Sequence, residues 1–198
     1  MNWPQQPGSA AGAAAVLLTT LGCAATLAQT QRDLSTHEHG AAVINIAIDG
    51  DQVTMSLEGP AMNFVGFEHA PHNAQQNADI ASALKRLKTP PGPFRLAPAA
   101  RCKLVSATAS HELSNGTGAH HDPEDGHDTH EAESAHSEFT ANYVFGCERP
   151  ERLDRIQVTL FEAFPLTTEI ATSLLGPGVQ TFAELTPNDP VLSWQADR

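Results

Sequence analysis

The chain reads as an α+β protein, built mainly from antiparallel β-sheet with at least one helix. Most apolar segments are short, alternate with polar residues and end in turn chemistry. One stretch, from Asn73 to about Lys88, repeats its apolar residues at helical spacing. The third observation is a pair of cysteines, Cys102 and Cys147, at the outer ends of two strand-like segments that flank a histidine-rich insertion.

In order along the chain, Ala42 to Ile48 and Val53 to Leu57 are rich in β-branched and apolar residues and are separated by Asp49-Gly50-Asp51-Gln52. That pattern predicts a β-hairpin with an Asp-Gly turn. Gly59-Pro60 ends the second strand, and Phe64, Val65 and Phe67 are apolar enough to bury a loop against the sheet. Asn73 is a good helix cap, Ile80, Leu84 and Leu87 share one face, and Lys85, Arg86 and Lys88 suit the C-terminal end before Thr89-Pro90-Pro91 stops the helix.

Strands are expected from Cys102 to about Ala109 and from Phe139 to Gly146. Paired antiparallel with Val105 opposite Val144, they bring Cys102 to face Cys147. A disulfide there ties the strands at the end away from the insertion, worth roughly 4 kcal/mol by loop entropy. Further strands are expected through Ile156, Val158 and Leu160, over Thr167 to Leu175, Val179 to Leu185 and Val191 to Trp194. A faint echo, Gln52-Val53-Thr54-Met55 against Gln157-Val158-Thr159-Leu160, admits two similar half-domains or chance repetition.

Of the 198 residues, 40% are hydrophobic, which suits one core with appendages. The formal net charge of −12 repels phosphate backbones and anionic lipid and concentrates cations, so nucleic acid is excluded as a partner class. Residues 10–28 carry no charge, and Thr26-Leu27-Ala28 has small-x-Ala form, so residues 1–28 are read as a cleavable secretory signal peptide. The mature exported domain is then 29–198, with the insertion at about 110–137. A transmembrane anchor and lipidation at Cys23 are the alternatives. In an oxidising compartment the pair Cys102 and Cys147, alone beyond the leader, is expected to be oxidised.

All ten histidines lie beyond the leader, and six of them, His111, His120, His121, His127, His130 and His136, fall within one acidic stretch. Imidazole suits zinc, copper and nickel, and the neighbouring carboxylates offset a cation's charge. The spacing makes no zinc-finger pattern, and Gly116, Gly118 and Gly126 favour several interchangeable, labile sites. The bland alternative is a solvated acidic loop.

A second candidate site joins His37 and His39 to Glu68, His69 and His72. Two residues apart, His37 and His39 share a face of an extended strand, and three or four nitrogens from the two segments suit tetrahedral zinc. Hydrogen-bonded structural histidines are the alternative. No catalytic residue is assigned, since H-E-x-x-H, G-x-S-x-G and phosphate-cradling loops do not occur in the sequence.

Glu38-His39-Gly40-Ala41-Ala42, the run from Leu57 to Pro71 and the His/Asp/Glu loop together resemble the ZrgA-like periplasmic zinc-uptake family, and the likeness spans nearly the whole mature chain. Cys102, Cys147 and Phe161 to Pro165 are also similar. The resemblance implies a soluble periplasmic zinc binder with a structured core site and a variable histidine loop, serving an inner-membrane zinc importer of the ABC type. It carries over His39, Glu68 and His69 as core ligands. The loop here is broken by Thr, Ala and Ser, which bears on metal capacity. The rival functions are a copper or nickel buffer, separable by competition titration, and a pH-responsive protein-interaction domain, whose melting temperature zinc leaves unchanged.

Overall fold

Alternation of Ile44 and Ile46 with exposed Asn45 and Ala47 makes the first strand, β1 (Ala41–Asp49), and the same period makes β2 (Gln52–Pro60). The computed structural model describes residues 38–90, 92–112 and 137–195. The signal-peptide and Cys23 expectations lie outside the described residues, as do His37, His120, His121, His127, His130 and His136.

β1 and β2 pair antiparallel, Asp49 opposite Gln52. The two-residue turn between them has positive φ at Gly50 (58°), the first central position, where glycine avoids a Cβ clash. After β2 the chain enters a short helix, α1 (Ala61–Val65), where the sequence predicts a loop; Phe64 is buried there as expected. Helix α2 (Ala74–Lys88) starts where the sequence places it, with the Asn73 side chain accepting a hydrogen bond from the Gln76 amide, and buries Ile80, Ala83 and Leu87.

Three strands follow: β3 (Phe94–Leu96), β4 (Cys102–Glu112) and β5 (Glu138–Cys147). β4 and β5 pair antiparallel, and Cys102 stands opposite Cys147 and forms the disulfide. One detail of the expected register is corrected. The ladder shifts between Leu104 and Ser106, so Ser106, not Val105, lies opposite Val144, and Val105 bulges out, 70% exposed. A bulge inserts one unpaired residue and leaves the pairing on both sides intact, which is why the cysteine register holds.

β6 (Arg155–Val158) is shorter than the alternation of Ile156, Val158 and Leu160 suggests, because Leu160 opens a one-turn helix, α3 (Leu160–Ala163). Leu160 is fully buried at the start of this helix, as an inward strand residue is expected to be, so periodicity alone does not separate the two geometries. β7 (Glu169–Gly176), β8 (Val179–Leu185) and β9 (Val191–Ser193) complete the chain.

The large sheet runs β4-β5-β2-β1-β7-β8, and β3-β6-β9 form a second, smaller one. Among the described residues all strand pairings are antiparallel except β1 with β7, which is parallel and joins distant parts of the chain. The α+β, mainly β class predicted above is the class observed. β2 and β6, the two strands of the sequence echo, lie in different sheets, each followed by a short helix bearing a phenylalanine. One face of the large sheet is buried through Ile44, Met55, Leu57, Tyr143, Ile170 and Leu174, and these join Leu87, Phe94, Ile156 and Leu192 in one core.

Candidate metal centre

Asn63, 1% exposed in α1, fixes the start of β1 by two hydrogen bonds to the backbone: its Oδ1 accepts from the Gly40 amide and its Nδ2 donates to the Ala41 carbonyl, both at 2.8 Å. The Gly40 carbonyl accepts from the Thr168 and Glu169 amides. Gly40 has φ of 89°, and a Cβ there would meet the Thr168 hydroxyl at 2.6 Å, so the position admits only glycine without rearrangement. His39, the preceding residue, is thereby held at the mouth of β1.

From the other side, α1 closes at Gly66, whose amide donates to the Met62 carbonyl with φ of 80°, the left-handed cap glycine supplies. This turn delivers Phe67, Glu68 and His69. The Ser137 hydroxyl donates to the Glu68 carbonyl, and the Ser137 carbonyl accepts from the Ala61 amide at 2.8 Å. Ser137 follows the histidine-rich insertion, so the exit of that insertion is tied to the segment bearing Glu68.

The result is a His39 Nε2 to Glu68 Oε2 distance of 3.1 Å, bridging 29 residues of sequence, with side chains 59% and 36% exposed. Zinc bonds to imidazole nitrogen and carboxylate oxygen run about 2.0–2.2 Å, and a tetrahedral angle then sets the two donors about 3.3 Å apart. The pair is within a few tenths of an ångström of the spacing at which both atoms ligate one ion.

His69 and His72 form a second pair. Their rings stack at 4.4 Å between centroids, and Phe67 stacks on His69 at 5.0 Å. His69 Nδ1 lies 2.8 Å from the Ala70 carbonyl, so Nδ1 carries the hydrogen and Nε2 keeps the lone pair of the neutral ring. His72 is held through its amide, which donates to Gln76 Oε1 at 2.7 Å.

His111 is on β4 opposite Phe139, on which its ring stacks at 5.5 Å. Its Nδ1 is buried with no hydrogen-bond partner among the described residues. Glu112 stands opposite Glu138, Glu138 opposite Pro60, and β1 begins beside that row, so the two ends of the insertion and His39 share one end of the sheet. Adjacent strands are about 4.8 Å apart, which sets β4 about 14 Å from β1.

Among the described residues no three His, Cys, Asp or Glu side chains stand close enough to hold one metal ion together. The arrangement thus offers donor pairs rather than a closed tetrahedral set. Of the sequence-assigned residues, the structure brings His39 to Glu68 and His69 to His72, and places His111 at the neck of the insertion. Asn63 and Ser137, which position the first pair, and Phe67, the shelf under His69, were not singled out as functional from sequence. The signal for Asn63 is a polar residue inside the otherwise apolar Ala61 to Val65 turn.

A search of curated proteins finds no match. Against models of protein families, residues 36–194 match that of the ZrgA family zinc uptake protein. With the match covering most of its length, the chain belongs to the ZrgA family of zinc uptake proteins.

Proposed function

We propose that this is an exported, periplasmic, non-enzymatic zinc carrier that captures zinc and passes it to an inner-membrane importer of the ABC type, or buffers it. The observation that carries the reading is the His39–Glu68 pair, two unlike zinc donors converging from distant segments at near-ligand spacing. Structural zinc sites are closed by four protein ligands, whereas cargo must leave. A centre built from donor pairs on exposed turns has positions left for water and for a receiving protein's ligands.

Zinc reaches the centre by way of a negatively charged surface that raises the local cation concentration. The insertion's histidines and carboxylates hold zinc weakly and in exchange. His39 with Glu68, joined by His69 and His72, hold it more tightly, with His69 Nε2 already set as the acceptor atom.

Calorimetric zinc titration tests this on the wild type and on a His39→Ala/His69→Ala variant. The expected result is a tight site in the wild type that the double variant loses while weak sites remain. If the wild type has no site tighter than about 10 μM, which corresponds to about −7 kcal/mol, the zinc-carrier reading is abandoned.

A further inference from the structure

The two edges of the large sheet are built differently. β4, at one edge, is broken by the bulge at Val105, carries Lys103, and has α2 packed beside it. These are the devices by which proteins prevent an edge from pairing with another chain. β8, Val-Gln-Thr-Phe-Ala-Glu-Leu at the other edge, has no bulge, no Lys and, among the described residues, no helix packed beside it; β9 of the small sheet comes near it. Its ladder with β7 is regular over all seven residues, from Ile170 opposite Leu185 to Gly176 opposite Val179, and it contains no Lys, Arg or Pro.

β8 also exposes apolar surface. Phe182 is 63% exposed and Leu175, on the neighbouring strand, 62%. Ser173 stands opposite Phe182 and Leu175 opposite Gln180, so Phe182 and Leu175 share the outer face of the sheet. Thr181, Ala183 and Leu185 point to the inner face.

From this we infer that β8 is the pairing edge of a homodimer, in which two copies of the chain join β8 to β8 antiparallel and extend the sheet across a twofold axis at Phe182.

The occupant is argued from the strand itself. A twofold antiparallel pairing that keeps inner residues opposite inner ones allows only registers that change in steps of two residues. With Phe182 opposite its own copy, all seven residues of β8 find partners: Gln180 meets Glu184, Thr181 meets Ala183 and Val179 meets Leu185. The one charged side chain faces an amide that donates to it, and the exposed aromatic ring is covered by its counterpart. Centring on Gln180 or Thr181 leaves Phe182 opposite Gly178 or Gln180, centring on Ala183 sets Glu184 against Phe182, and centring on Glu184 opposes two carboxylates. One register thus satisfies both charge and apolar cover, and for chains of net charge −12 this nearly uncharged strip is where two copies approach with little local repulsion.

Sedimentation velocity over roughly 10 to 200 μM, the range suited to a weak dimer, tests the pairing on the purified protein and its variants. A dimer is expected, weakened about tenfold or more by Phe182→Lys, weakened by Gln180→Glu, and tightened by Gln180→Lys, which places a lysine opposite Glu184 of the other copy. Val105→Lys, on the other edge, should leave it unchanged. A monomer throughout the range overturns the inference, as does a dimer indifferent to all three β8 substitutions or one abolished by Val105→Lys. Zinc titration of the same variants keeps this result separate from the carrier reading, since β8 contributes none of the proposed ligands.

Discussion

At the residue scale, the question is what makes a histidine and a glutamate a candidate site rather than a surface ion pair. An exposed pair of this kind is worth little in stability. His39 and Glu68 are set apart by the scaffolding spent on placing them: Asn63 on one side, Gly66 and Ser137 on the other. Glu68→Gln removes the anionic oxygen donor but preserves shape, so zinc affinity should fall at least tenfold with the melting temperature of the metal-free protein nearly unchanged, as read by calorimetry and thermal denaturation. Imidazole binds metal only when deprotonated, so affinity should also fall steadily from pH 7.5 to pH 5.5. Equal affinity at both ends of that range would remove histidine from the ligand set. The sequence displays these residue types, and the resemblance selects His39, Glu68 and His69 among them. It does not display their convergence, because bringing together residues 29 apart depends on a buried asparagine in a turn and on a serine beyond the insertion, neither of which bears a metal-ligand signature.

At the element scale, local chemistry is what the sequence states most clearly. The β1–β2 hairpin, the Asn73 cap of α2 and the strands bearing Cys102 and Cys147 are all written in short-range patterns, and each is found. The Val105 bulge, the one-turn helix at Leu160 and the parallel β1–β7 pairing depend on neighbours distant in sequence, which periodicity does not encode. Two predictions belong here. Cys102→Ser with Cys147→Ser should cost about 2–4 kcal/mol in denaturant unfolding. Zinc affinity below the melting transition should be unaffected, since the bridge lies at the end of the β4–β5 ladder away from His111. Tyr143, 1% exposed, reaches from β5 to donate to the Leu87 carbonyl in the last turn of α2 at 3.1 Å. Tyr143→Phe should cost about 1 kcal/mol, leaving that carbonyl without its donor. Burial also holds the Tyr143 hydroxyl well above its ordinary value of 10.0. The unfolded chain therefore loses this proton first, and the tyrosine's contribution is present in full below pH about 10 and declines as pH rises beyond it. The phenylalanine variant should lack that alkaline component, and identical alkaline profiles for the two proteins would show that the hydroxyl is not buried as described.

For the molecule as a whole, the question is how far the fold and the tight site depend on the insertion. Glu112 and Glu138 are paired directly across the ladder, so the β4–β5 hairpin is complete on either side of the insertion. Deleting Gly116 to Ala135 leaves Leu113, Ser114, Asn115, His136 and Ser137 as the connection, a length that hairpins use, and keeps the Ser137 bond to Glu68. On the sequence expectation of a flexible loop, closure entropy grows only logarithmically with length, so shortening the insertion about fivefold should stabilise the fold by about 1 kcal/mol. The deletion removes His120, His121, His127 and His130 with six carboxylates and no Lys or Arg. Zinc stoichiometry should therefore fall by the weak sites while the tight site keeps its affinity, and zinc association should slow and lose part of its salt dependence because the negative field around the centre is reduced. Stopped-flow competition with a zinc-sensitive dye reads both rates. Loss of the tight site in a variant that still melts cooperatively at the wild-type temperature or above would place its ligands in the insertion itself, and the His39–Glu68 pair would then be a surface ion pair beside it.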